Sequence, residues 1–248
     1  MTKPVLELFA SLKGTYFDAL FKHLGYKDGV DFKEIKNDVD KFDKKLFGGN
    51  WDIFVVSYHG LRDSPELQAW VDKNKDKIEQ WLRDGHGVVS TGGRDHQDVP
   101  LVEILGLGGA LVPTGIGAQC CVKIIPNTPL TKGMAEKLDT SKSGDPTFFG
   151  DGQTYDRGKL PKGVEVAAVS PASDKIVAIA FGRFGSGGFV LSGSAEITNL
   201  DMGFGQPEMS PDSFTLWKNI VDWFAEEVLS VKPADKLSAT WGRIKTDL

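Results

Sequence analysis

Trp51-Asp52-Ile53-Phe54-Val55-Val56-Ser57-Tyr58 is almost continuously apolar. A strand buried on both faces of a parallel sheet reads this way, without the alternation of a half-exposed strand. Ser64-Pro65-Glu66 follows, an N-cap with proline at the first helical position. Leu67, Trp70, Val71, Ile78, Trp81 and Leu82 supply one buried helical face, and Gly85 stands where that helix should stop. A second apolar run, Gly87-Val88-Val89-Ser90-Thr91, then runs into Gly92-Gly93. Strand, helix and strand in this order form a βαβ unit, whose crossover is right-handed in nearly all folds.

Working outward, residues 5–10 suit a first strand, and Tyr16, Phe17, Leu20, Phe21 and Leu24 mark a helical face closed by Gly25. Residues 31–35 read as an edge strand, 101–107 as a short helix and 122–125 as a strand. The segment 128–162 is rich in Gly, Pro, Asp and Thr, and is expected to be an insertion over the sheet. Residues 164–170, 176–181 and 188–192 predict three strands, joined by turns at 171–174 and 183–187. Gly185-Ser186-Gly187-Gly188 precedes a strand rather than a helix, so it is a hairpin turn and not a phosphate loop. Phe214, Trp217, Ile220, Val221, Phe224 and Val228 form a helical stripe. The pattern describes a doubly wound, mainly parallel α/β sheet with an antiparallel extension, in one domain over 1–229. The tail 230–248 is expected to dock on it through Leu237, Trp241 and Ile244.

Composition sets the outer bounds. At 248 residues, one large domain buries a sizeable core without staples. The net charge of -5 lacks the basic stripe of a nucleic-acid binder. No apolar run approaches the ~20 residues that span a bilayer. No signal h-region follows Met1, so a cytoplasmic location is expected. Cys120 and Cys121 are adjacent, which disfavours a bridge between them. They suit buried small hydrophobes better than vicinal redox or metal chemistry.

In doubly wound sheets ligands sit beyond the carboxyl ends of the strands. Three segments occupy such places here: Tyr58-His59-Gly60-Leu61-Arg62, Thr91-Gly92-Gly93-Arg94-Asp95-His96-Gln97-Asp98, and Gly193-Ser194-Ala195-Glu196-Ile197-Thr198-Asn199-Leu200-Asp201. His59, His96 and Glu196 are the candidates for acid–base work. Tyr58, Gly60, Arg62, Thr91, Gly92, Gly93, Arg94, Asp95, Asp98 and Ser194 are candidates for holding a substrate. Each has a plainer reading beside it. A histidine can simply shape its loop, Arg94 can pair with Asp95 or Asp98, and Glu196 can anchor backbone N–H groups. His23 and His86 receive no role.

This arrangement resembles the class I glutamine-amidotransferase-like superfamily, and within it the ThuA-like (trehalose-utilisation) branch. The likeness covers most of residues 50–100 and 176–229. It implies a flavodoxin-like sheet, with an oxyanion loop at Tyr58-His59-Gly60 and a nucleophile elbow at Val89-Ser90-Thr91-Gly92-Gly93. The family's His-Pro-Glu corresponds to Ser194-Ala195-Glu196. Thr91 therefore stands where the family keeps cysteine and Ser194 where it keeps histidine; only Glu196 is retained. A hydroxyl without a base is inert, and no histidine follows His96, so glutamine hydrolysis is not expected. The ThuA-like branch also lacks the cysteine, and implies a role in sugar utilisation.

Three functions remain open from the residues. One is an acid–base enzyme acting on a carbohydrate-like small molecule. The second is a non-catalytic ligand-binding or subunit-interaction protein. The third is a metal-dependent hydrolase, in which His59, His96 and one or two of Asp95, Asp98, Glu196 or Asp201 converge on a divalent metal such as Zn, Mn or Fe. No motif firmly calls for a cofactor. The expected partner is a small molecule such as a sugar, with no nucleic acid and no membrane; self-association is left open.

Overall fold

The computed structural model describes residues 6–10, 17–36, 46–47, 51–56, 61, 64–91, 99–112, 122–134, 154–192 and 211–229. In chain order its strands are β1 (Leu6–Ala10), β2 (Phe32–Lys36), β3 (Ile53–Val56), β4 (Gly87–Ser90), β5 (Leu111–Val112), β6 (Lys123–Ile124), β7 (Thr154–Asp156), β8 (Val164–Ser170), β9 (Ser173–Phe184) and β10 (Gly187–Ser192). The helices are α1 (Phe17–His23), α2 (Pro65–Lys73), α3 (Lys75–Arg83), α4 (Val99–Ile104) and α5 (Pro211–Trp223), the last continued by a π turn over Phe224–Val228.

All ten strands belong to one sheet. Five of them, in the spatial order β2-β1-β3-β4-β10, pair in parallel. β10 then meets β9 antiparallel, and the remaining pairings are antiparallel too. β9 is the spine of this second half. Ile179 pairs with Ser192 on one edge and Ala168 on the other, and Val177 pairs with Tyr155 and Val169 likewise. β10 and β7 therefore share one edge of β9, end to end, while β8 takes the opposite edge. The result is an α/β fold with a parallel half and an antiparallel half.

The run Ile53-Phe54-Val55-Val56 is buried throughout, as its unbroken hydrophobicity predicts. Successive side chains point to opposite faces, and each face has its own core. Ile53 and Val55 join Val89 and Val190 beneath Leu20 and Phe21 of α1 and Leu216, Trp217 and Ile220 of α5. Phe54 and Val56 join Val88, Phe189 and Leu191 beneath Leu67, Trp70, Val71, Ile78, Trp81 and Leu82. Burying each such aliphatic or Phe side chain contributes about 1.5–3 kcal/mol. Helices on both faces require both sides of the strand to be apolar, which is why no alternation survives in the sequence.

Ser64 caps α2 by accepting a hydrogen bond from the Leu67 N–H at 3.3 Å, with Pro65 in the first turn. The single helix expected over 65–83 is interrupted at Asn74. Its side chain donates to the Trp70 carbonyl at 2.8 Å, beside its own N–H at 3.0 Å, and α3 begins directly after it. Gly85 adopts φ +101 and ends α3, as expected. Within 128–162, expected to lie over the sheet, Thr154–Asp156 is itself a strand, paired with β5 and β9. Residues 135–153, Cys120, Cys121 and the tail 230–248 lie outside the described residues.

At the amino ends of the parallel strands the packing is close. A β-carbon on Gly87 would overlap the Phe224 ring, and one on Gly187 would overlap the carbonyl oxygens of Leu82 and His86. His86 is half-buried there, its Nδ1 at 2.9 Å from the Trp51 carbonyl and its ring stacked on Trp81.

Candidate functional site

The parallel strands end level with one another. Phe9 lies opposite Val56, Val56 opposite Ser90, and Ser90 opposite Leu191. The segments that begin after β3, β4 and β10 consequently leave the sheet from neighbouring positions on one edge. This alignment is what the sequence needs for His59, His96 and Glu196 to share a site. Those three residues themselves lie outside the described residues, together with Tyr58, Gly60, Arg62, Gly92, Gly93, Arg94, Asp95, Asp98 and Ser194. The carboxylates and histidines considered for a metal, Asp201 included, lie outside them too; among the described residues no group of three or more metal-ligating side chains occurs.

Thr91 is the one candidate within the described residues, and its surroundings are informative. It follows β4 directly and is fully buried. Its N–H donates to the Val56 carbonyl at 3.0 Å, and its Oγ1 donates to the same oxygen at 3.4 Å. The hydroxyl is thereby committed to the end of the neighbouring strand. Among the described residues the only non-glycine with positive φ is Asn127, so Thr91 has an ordinary backbone conformation. A nucleophile elbow is a sharp, strained turn that exposes its side chain. Thr91 does not match this: its φ is not positive and its side chain is covered.

Ser90 and Ser192 are buried beside it, so this end of the sheet carries small hydroxyl side chains under its edge. Sequence reasoning gives Ser192 no role of its own. The available signal is a hydroxyl closing the apolar run Phe189-Val190-Leu191, a polar residue where a core strand reaches its end. The clearest perturbed titration lies elsewhere: burial first, then the carboxylates of Asp222 and Asp31, push the Tyr26 phenol well above its ordinary range.

No family model matches the sequence, and no curated protein matches it. Solved structures do match in fold. A provisionally named ThuA-like protein from Bacteroides uniformis superposes with TM-score 0.54 at 15% identity, covering 93% of this chain and 95% of its own. A provisionally named GMP synthase component from Thermoplasma acidophilum gives 0.54 at 14%, covering 91% and 96%. A cytoplasmic protein from Salmonella typhimurium LT2 gives 0.52 at 13%, covering 89% and 99%. At these identities the likeness is one of fold alone, an α/β architecture.

Proposed function

We propose that this chain is a ThuA-like protein of the class I glutamine-amidotransferase-like superfamily, flavodoxin-like in its parallel half and without glutaminase activity. In this reading it takes a carbohydrate-like polar small molecule at the carboxyl edge of the sheet. His59, His96 and Glu196 carry acid–base chemistry on it, and the loop residues around them hold it. The observation that carries the reading is Thr91, buried and hydrogen-bonded to the Val56 carbonyl where relatives keep a reactive thiol. The parallel order β2-β1-β3-β4-β10 supports the flavodoxin-like assignment, since it matches the 2-1-3-4-5 arrangement whose ligands lie at the carboxyl edge. A cytoplasmic location belongs to the same proposal. No helix among the described residues is long and apolar enough to cross a membrane.

The Thr91 hydrogen bond also favours a second reading, a non-catalytic member of the fold that binds a ligand or another protein chain. Thermal-shift titration with trehalose, glucose and sorbitol, followed by product analysis, separates the two. Stabilisation with conversion, abolished by alanine at His59, His96 or Glu196 at unchanged melting temperature, supports the enzyme. Stabilisation without conversion supports the binding protein. Ammonia release from glutamine would overturn both.

A further inference from the structure

We draw no further inference here: the strongest candidate, the exposed basic surface patch on the loop between β7 and β8 that carries Arg157, Lys159 and Lys162, has nothing in the structure to show what covers it.

Discussion

At the amino ends of β4 and β10 the backbone is bare, and other groups lie directly on Gly87, Gly187 and Gly188: the Phe224 ring, the Leu82 and His86 carbonyls, and Trp223 with Val228. At the carboxyl ends of the same two strands stand Ser90, Thr91 and Ser192, buried but polar. One end admits no added atom, while the other places hydrogen-bonding groups where an α/β sheet takes its ligand. The difference teaches a division of labour. The amino end is packed tightly onto bare backbone, while the carboxyl end keeps buried hydroxyls, where the proposed function would place its chemistry.

The largest expected effect comes from emptying the amino end. Phe224→Ala removes a fully buried ring seated on Gly87 and should lower unfolding stability by about 3–5 kcal/mol in urea titration. A loss below about 1 kcal/mol would mean that the site collapses to refill itself, and that the contact is not what holds this end. Gly187→Ala overfills the same region against two backbone carbonyls, which cannot rotate aside. A loss of about 3 kcal/mol is expected, and near-neutral stability would break the contrast between the two ends.

At the carboxyl end the effects should be small in stability and specific in chemistry. Thr91→Cys introduces the thiol that the proposed superfamily keeps at this position, yet stability should move by no more than about 1 kcal/mol, since one long hydrogen bond is exchanged for a weaker one. Ammonia release from glutamine should stay absent, because on the proposed assignment Ser194 takes the place of the superfamily's base. Detectable glutaminase in this variant would show that the rest of the machinery survives.

The last prediction concerns pH. Tyr26 precedes β2, on the amino side of the sheet, and its phenol is raised above the ordinary value of 10.0, first by burial and then by Asp222 and Asp31. Below pH 10 it is neutral in both folded and unfolded chains, so it adds no pH dependence. As pH rises past 10, the unfolded chain releases the proton while the folded chain keeps it, and stability falls. Tyr26→Phe should flatten that alkaline slope in denaturant titrations; an unchanged slope would assign it to other groups.

The sequence carried the parallel half clearly, because strands covered on both faces have no choice but to be apolar. The runs 53–56 and 87–90, the Ser64 cap and the Gly85 stop all follow from local chemistry. What stayed hidden is set by partners instead. β5 and β7 are two and three residues long, too short for any period, and exist because β9 extends far enough to pair with β7. β9 itself reaches from Ser173 to Phe184, well beyond the apolar core at 176–181, since its ends are drawn into ladders by β8 and β10. The break at Asn74 was invisible because the apolar spacing continues across it. Of the site, the strand-end position of Thr91 was legible. The hydrogen bonds of Thr91 to the Val56 carbonyl were not, since a bond between neighbouring strands is a property of three-dimensional surroundings and leaves no mark on the chain.

The position of β10 has a consequence for how the molecule comes into being. It is the strand that joins β4 to β9, yet among the described strands it is the last to leave the ribosome. Until residues 187–192 emerge, β4 presents an open rim of backbone N–H and C=O groups, the kind of template on which chains aggregate. The first four strands and the β8–β9 hairpin all precede β10 in the chain, and β4 cannot be joined to β9 until β10 is made. A chain truncated before Gly187 should accordingly be a client of chaperones rather than a smaller version of the same protein.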